Sequence, residues 1–317
     1  MKKVINLKAL MILCIAFICL QGCSKNDNSE NKEKGGKDKK IHIVTTFYPM
    51  YEFTRNIAGN MADVELLIPS NVEPHDWEPS PKDMLKIQNA NVLVYNSKFL
   101  ETWVPNIQKS LGNKGPQYVE ASKGIHLMKG VAEEDSTAKN KQTQMDPHVW
   151  LSPALAQKEV TNITQTLVKV DPKNKNYYEN NSKTYLQELE KLDKAYRTAL
   201  QNVKKREIIT QHAAFGYLAR TYHLTQVPIA GLSPDQEPSP AKLGELKKFA
   251  KSHNLKVIYY EEVASPKVAK TLANEIGAKI EVLNTLEGLS KKDQEKGLDY
   301  ITEMEENLKS LEKTLNE

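Results

Sequence analysis

The sequence predicts an α/β protein with two similar lobes, each built on a parallel sheet, joined by one long rigid helix. Three observations indicate this class. Short β-branched runs alternate with turns and amphipathic stretches, as in parallel βα units. Related segments occur in the same order in the two halves of the chain. Between the halves lies a polar stretch of helical periodicity that contains neither Gly nor Pro.

The amino terminus predicts export and lipid attachment. Three lysines precede the apolar run 9–20, which is too short to span a bilayer. The run ends in Leu20-Gln21-Gly22-Cys23, which resembles a bacterial lipobox, where cleavage precedes the cysteine and the cysteine carries the lipid. We therefore expect a signal peptide over residues 1–22 and lipid attachment at Cys23. The alternative is an ordinary signal peptide followed by a chance cysteine.

Cysteine use and charge narrow the function classes. Cys23 would be the only one of the three cysteines to remain after cleavage, so a disulfide, a thiolate metal site and a cysteine nucleophile are excluded. Removing residues 1–22 takes away three lysines and no acid, which lowers the net charge from +4 to +1 (44 − 3 − 40). No nucleic-acid partner is expected of a nearly neutral chain.

The domain organisation follows from composition. Residues 23–40 form a flexible tether, since Ser24 to Lys40 includes no apolar residue that could pack. The remaining 277 residues (317 − 40) are enough for two domains. We expect an N-terminal lobe at 41–170, a linking helix at 171–203 and a C-terminal lobe at 204–317.

Internal similarity supports two related lobes. The matching segments are 43–46 with 208–211, 92–95 with 257–260, and 78–81 with 237–240. The first two pairs share an offset of 165 residues (208 − 43 and 257 − 92). The Ser-Pro pairs at Ser80 and Ser239 predict helix starts, with serine as the cap and proline at the first helical position. Ser152-Pro153 predicts a third start of this kind.

Individual elements were assigned from these patterns. Strands are predicted at 42–47, 64–68, 92–95, 207–210, 257–260 and 279–283. Helices are predicted at 153–170 and at 173–203, separated by Asp171-Pro172. The longer helix is interpreted as a rigid connector between the lobes, with a surface helix of the first lobe as the alternative.

Three histidines and one glutamate are the candidate metal ligands: His75, His148, His212 and Glu287. Three of them follow predicted strands and His148 precedes a helix. In parallel sheets ligands bind beyond the carboxyl ends of the strands, and two candidates come from each half, so the four can meet between the lobes. Three imidazoles and one carboxylate suit Zn²⁺; Mn²⁺ is the alternative, although it prefers more oxygen donors.

Nearby carboxylates complete the predicted site. Glu73 and Asp76 flank the first histidine and are expected to orient its ring. Glu261 and Glu262 also follow a strand, and they compete with Glu287 for the fourth position. The other histidines are expected to be structural or surface residues: His42, His126, His223 and His253.

Three motifs carry a family resemblance: Val44-Thr45-Thr46-Phe47-Tyr48-Pro49, Pro74-His75-Asp76-Trp77-Glu78-Pro79-Ser80-Pro81 and Asp146-Pro147-His148-Val149-Trp150-Leu151-Ser152-Pro153. With them the chain, from Ile43 to its end, resembles the zinc- and manganese-binding lipoproteins of bacterial ABC importers, the helical-backbone metal receptors. The resemblance implies two lobes joined by one long helix with the metal between them, and it implies that His75 and His148 are ligands.

The same resemblance places the remaining two ligands. His212 matches the third position, where zinc-type members carry His and many manganese-type members carry Glu. Glu287 matches the fourth position, where Asp or Glu occurs. The chain departs from many zinc-type members in the segment 131–145, which is polar and acidic but contains no histidine. A mobile lid is still expected over 131–145, although the absence of histidine does not favour a metal-collecting role for it. No role is assigned to the rest of the polar segment 126–145.

The implied function is capture of a divalent metal at the extracytoplasmic face of the cell membrane and its delivery to an ABC permease. We expect a monomer that is held at the membrane by its lipid and is not an enzyme. A metallohydrolase is disfavoured because a closed shell of four protein ligands leaves no position for a reactive water. A surface adhesin is the other alternative.

Overall fold

The computed structural model describes residues 40–131, 144–234, 238–261 and 264–317. The predicted signal peptide and the lipid attachment at Cys23 lie outside the described residues. So does most of the expected tether. The unit Lys40–Glu317 contains every element described below.

The strands form two sheets of the same topology. In chain order they are β1 (Ile41–Thr45), β2 (Ala62–Leu66), β3 (Val92–Tyr95), β4 (Gln117–Glu120), β5 (Glu207–Thr210), β6 (Thr225–Pro228), β7 (Val257–Tyr260) and β8 (Lys279–Val282). The first sheet has the order β2-β1-β3-β4 and the second β6-β5-β7-β8, and the strand pairings within both sheets are parallel. This repetition confirms the predicted class of two similar parallel-sheet lobes.

Two strands were missed by the sequence patterns. All six predicted strands are present, but β4 and β6 were not predicted. Gln117-Tyr118-Val119-Glu120 and Thr225-Gln226-Val227-Pro228 lack the apolar runs of the central strands, because both are edge strands with one row of partners. The terminal Pro228 is tolerated in β6 for the same reason.

The helices cover the sheets and begin largely where proline predicts. They are α1 (Tyr48–Ala58), α2 (Pro81–Asn89), α3 (Val104–Leu111), α4 (Pro153–Val170), α5 (Lys175–Leu200), α6 (Gly216–Thr221), α7 (Pro240–Ser252), α8 (Lys267–Ile276), α9 (Lys291–Glu295) and α10 (Tyr300–Leu315). Ser80 and Ser239 cap α2 and α7 as predicted. Ser152 precedes α4 but makes no capping bond, since its buried hydroxyl instead lies 3.0 Å from the Thr221 hydroxyl.

The connecting helix α5 packs against elements of both halves. It follows a short 3-10 turn at Pro172–Asn174 and lies along α1, α4 and α10. Tyr178, Leu189 and Tyr196 are buried along one of its faces. The Tyr196 hydroxyl donates to the Met304 carbonyl of α10 at 2.6 Å. The helix therefore holds both halves, as expected of a rigid connector.

One hydrophobic core runs through both halves. It contains Ile43 and Val92 of the first sheet together with Phe215, Leu286 and Tyr300 of the second half. A second, smaller cluster lies on the outer side of the second sheet, beneath α7 and α8. Within the described ranges, none of the helices has the length and apolar character needed to cross a bilayer.

Candidate metal centre

The four predicted ligand residues converge between the two sheets. Each of these residues offers one ligand atom, and the four atoms lie within 4.8 Å of one another. The residues are His75, His148, His212 and Glu287. His75 lies between β2 and α2, and His148 lies just before α4. His212 directly follows β5, and Glu287 follows β8. The four residues thus lie beyond the carboxyl ends of the strands, where parallel sheets usually bind their ligands.

Four of the separations are close to the edges of a tetrahedral ion. The Nε2 atoms of His75 and His148 are 3.1 Å apart, and those of His148 and His212 are 3.3 Å apart. Glu287 Oε1 lies 3.3, 3.5 and 3.9 Å from the Nε2 atoms of the three histidines. A tetrahedral zinc ion with bonds of about 2.0 Å has ligand-to-ligand edges of about 3.3 Å.

The donor atoms are shielded from water. The side chains of His148 and His212 are 0% exposed, and that of Glu287 is 1% exposed. His75 is the most exposed of the four, at 8%. Although Glu287 Oε1 lies near three imidazoles, it makes no hydrogen bond of acceptable geometry to a described residue. A buried carboxylate oxygen without a partner fits a position that a cation would complete.

In the first half, each of the two candidate ligand histidines is held by an acidic residue two positions earlier. Glu73 Oε1 accepts the backbone N–H of His75 at 3.1 Å. Asp146 Oδ1 accepts the backbone N–H of His148 at 2.9 Å and lies 2.8 Å from Nδ1 of its ring. Both turns have the pattern acid-Pro-His. Holding Nδ1 in this way leaves Nε2 free to face the centre of the site.

In the second half, the candidate ligands His212 and Glu287 are held by partners that share no local sequence motif. Glu261 Oε1, at the end of β7, lies 2.5 Å from Nδ1 of His212, 49 residues away in sequence. The Thr285 hydroxyl donates to Glu287 Oε2 at 3.1 Å. Leu286, between them, has a φ of 57°, a left-handed conformation that is costly for a leucine.

Contacts between the halves bring these loops together. The indole Nε1 of Trp150 donates to the Thr285 carbonyl at 2.8 Å. A Cβ atom placed on Gly288 would lie 2.0 Å from the Ser70 carbonyl oxygen, so only glycine permits this approach. The loop that carries Glu287 is therefore packed directly against the first half.

A tyrosine joins the second half to the base of the acidic segment. The Tyr217 hydroxyl accepts the Met128 N–H at 2.8 Å and donates to the Asp146 carbonyl at 2.7 Å. Lys129 and Met145 form an antiparallel bridge beside it. Most of the predicted lid, residues 132–143, lies outside the described residues.

The electrostatics suit an incoming cation. Burial lowers the pKa of His75, which favours its neutral, metal-binding form. Burial also opposes the charge on His148, but the Asp146 and Glu287 carboxylates outweigh it and raise its pKa to about 9. Burial opposes the charge on Glu287, yet the facing imidazoles hold its pKa well below the usual range. A divalent ion would displace the imidazolium proton and take over its role of balancing the carboxylate.

Two of the carboxylates predicted beside the metal site are not seen to contact it. Asp76 makes no hydrogen bond or ion pair with His75 among the described residues, and Glu262 lies outside them. Asp146 was missed, although the repeated acid-Pro-His pattern could have revealed it. The four remaining histidines lie away from the site: His42 contacts Glu65, His253 stacks on Phe249, and His126 and His223 are exposed.

Comparison with known proteins gives consistent matches. A family model described as "Zinc-uptake complex component A periplasmic" (ZnuA) matches residues 43–314. The high-affinity zinc uptake system protein ZnuA of Bacillus subtilis is 57% identical over 310 residues, which cover 96% of this chain and 97% of that protein. The zinc-binding lipoprotein AdcA of Streptococcus pneumoniae is 42% identical over 321 residues, and the match spans 100% of this chain but only 62% of AdcA.

Solved structures show the same architecture. The Zn(II)-bound ZnuA-like domain of S. pneumoniae AdcA is 44% identical, with a TM-score of 0.77, over 88% of this chain and 100% of that chain. The laminin-binding protein Lmb of Streptococcus agalactiae, described as having adhesin and metal transporting activity, is 35% identical, with a TM-score of 0.78. That match covers 87% of this chain and 100% of Lmb.

Proposed function

The chain belongs to the ZnuA family of zinc-uptake components, and we propose that it is the receptor that captures Zn²⁺ outside the membrane and delivers it to an ABC permease. The observation that carries this proposal is the convergence of four buried donor atoms from both halves, within 4.8 Å of one another. Zinc is the cargo of such a protein, so the site must both bind it and release it.

We assign the ligand set to His75, His148, His212 and Glu287. Their spacing supports a four-coordinate ion, and three nitrogen donors with one oxygen favour zinc over manganese. The alternative fourth ligand Glu261 is engaged with Nδ1 of His212, which supports a role in orienting that ring. The orphaned oxygen of Glu287 supports its place in the set.

We propose that the protein is a receptor without catalytic activity. Four protein ligands complete the tetrahedron and leave no position for a reactive water, which hydrolytic zinc sites retain. Three carboxylates beside the site are already engaged with the histidines: Glu73 and Asp146 hold backbone N–H groups, and Glu261 holds a ring nitrogen.

For location and partners, we propose a lipid at Cys23 and a working position at the extracytoplasmic face of the cell membrane, beside the permease. The relative AdcA is described as a lipoprotein, which supports this assignment. The polar tether would let a monomer reach the permease from its anchor.

Titration calorimetry of the metal-free protein tests the ligand assignment. We expect one zinc ion per chain in the unsubstituted protein. His212→Ala removes a ligand, so zinc affinity should fall by more than the roughly 100-fold that follows the loss of an orienting partner. His223→Ala, at an exposed histidine, is the matched control and should bind zinc like the unsubstituted protein. Equal zinc affinity in both variants would refute the assignment.

Adhesion is a second candidate, because the structural neighbour Lmb is described as both an adhesin and a metal transporter. Binding to immobilised laminin by the soluble protein, loaded with zinc or stripped of it, tests this role. Saturable binding that survives in His212→Ala would support an adhesive surface separate from the metal site.

A further inference from the structure

Trp150 occupies the junction between the two halves. It lies two residues after His148, its side chain is fully buried, and its ring packs edge-on against Phe47 at a centroid distance of 4.8 Å. The ring also contacts the imidazole of His148, with centroids 5.2 Å apart. These contacts attach Trp150 firmly to the first half.

The polar atoms of Trp150 contact the second half. Its indole Nε1 donates to the Thr285 carbonyl at 2.8 Å, and its own carbonyl accepts the Tyr300 hydroxyl at 2.5 Å. Thr285 in turn donates its hydroxyl to Glu287 Oε2. A continuous path of bonds therefore runs from the turn that carries His148 to the carboxylate of Glu287.

We propose that Trp150 is a positioning residue that sets the spacing between His148 and Glu287 and thereby selects zinc over manganese. This inference rests on the proposed function, because it concerns the specificity of the same site. The two ligands belong to different halves, and their donor atoms are 3.5 Å apart, close to a tetrahedral edge of about 3.3 Å.

The physical basis is the difference between the two ions. Zinc accepts a compact tetrahedral shell of nitrogen and oxygen donors, whereas manganese prefers a larger number of oxygen ligands. A shell held at the tetrahedral spacing by buried hydrogen bonds cannot widen without breaking them. The bond from Trp150 to Thr285 therefore penalises manganese more than zinc, and its loss should relax the site.

Trp150→Phe is the direct test, since it keeps a buried ring and removes the indole donor. We expect zinc affinity to fall ~10- to 100-fold, the range typical when an orienting partner of a metal ligand is lost. Manganese affinity should fall by a smaller factor or rise, so that the ratio of the two affinities declines. With Co²⁺ as a probe, the visible spectrum should lose its tetrahedral character.

Trp103→Phe provides a matched control. Trp103 is another buried tryptophan of the first half, but its Nε1 has no hydrogen-bond partner among the described residues. The same substitution there removes no bond near the metal site, so we expect both affinities and the cobalt spectrum to stay unchanged.

Thr285→Val is the second variant, because it keeps the backbone carbonyl and removes only the hydroxyl that holds Glu287. It should lower the zinc-to-manganese ratio as well, and it tests the last bond of the path from Trp150 to Glu287 if Trp150→Phe does not fold. Thermal unfolding of the metal-free proteins establishes folding. Equal loss of both affinities in folded variants, or no loss, would overturn the inference. If the unsubstituted protein bound no zinc, the proposed function would fall, and this inference with it.

Discussion

The two halves share one topology but position their proposed metal ligands by different means. In the first half, His75 and His148 each follow an acidic residue and a proline, and the acid holds the backbone of the histidine. In the second half, His212 depends on Glu261 from another strand, and Glu287 sits in a loop braced against the first half. Two sheets of the same topology therefore carry two different pairs. The positions of His75 and His148 depend on local sequence, whereas those of His212 and Glu287 depend on tertiary contacts.

This difference bears on the order in which the site is assembled. The acid-Pro-His turns involve residues two positions apart, so they can form with little loss of chain entropy. The second pair requires β5, β7 and β8 to be adjacent and the halves to be packed together. Substitutions that disturb the packing between halves should therefore affect the second pair most.

The largest effect is expected for Gly288→Ala, which tests whether the second pair depends on the first half. The added methyl group would lie 2.0 Å from the Ser70 carbonyl, so the loop must move and take Glu287 with it. Zinc affinity should drop by more than the roughly 100-fold typical of losing an orienting partner, as measured by competition with a chelating dye.

Gly244→Ala is the control for this effect. Gly244 lies on α7 of the same half, with open space where a Cβ atom would go. Zinc binding should be unchanged there, and helix propensity predicts a slight gain in stability. If Gly288→Ala also left zinc binding intact, the second pair would not depend on the contact between halves.

A smaller effect should separate the two ways of orienting a histidine. Glu261 touches His212 only through Nδ1, whereas Asp146 holds both the ring and the backbone N–H of His148. Glu261→Gln should therefore weaken zinc binding by ~10-fold or more, and Asp146→Asn by less. Calorimetry of the two variants side by side provides the measurement. A larger loss in Asp146→Asn would reverse the comparison.

The first half also contains a buried carboxyl group that should make folding stability depend on pH. Glu159 of α4 is fully buried, and neither carboxylate oxygen has a hydrogen-bond partner among the described residues. Burial raises the pKa of Glu159 well above the ordinary value, and repulsion from Glu101 makes a smaller contribution in the same direction. Because the folded state holds this proton more tightly than the unfolded state, stability falls as the pH rises from the unfolded pKa toward the folded one.

Glu159→Gln removes this titration. The metal-free variant should be more stable than the unsubstituted protein at neutral pH and equal to it near pH 4. The gap should widen by at most ~1.4 kcal/mol per pH unit. Denaturant unfolding across pH provides the data, with Glu188→Gln on the exposed face of α5 as the control that should show no such trend. A constant gap would mean that Glu159 does not titrate in this window.

The smallest effect is expected at the contact between Tyr217 and the base of the lid. Tyr217→Phe leaves the Met128 N–H and the Asp146 carbonyl without their shared partner. The loss should be about 1 kcal/mol of stability, with a modest change in zinc affinity, because Asp146 keeps its bonds to His148. A zinc loss as large as that of Glu261→Gln would show that the second half also orients His148.

The sequence predicts most of this fold because the central strands and Pro-started helices have strong local signals. The prediction of α4 at 153–170 agrees with its bounds, and all six predicted strands shift by no more than two residues at either end. The edge strands β4 and β6 were missed because they lack an apolar run, whereas the other two edge strands, β2 and β8, were predicted. Trp150 could be predicted to pack, but its bond to Thr285 joins residues 135 apart and has no local signature.

The continuous hydrophobic core has a consequence for the autonomy of the halves. Since α5 and the residues around Tyr300 share one core with the first sheet, neither half can bury all of its apolar surface alone. The molecule should therefore unfold in a single cooperative transition, and a fragment that ends within α5 should aggregate instead of folding.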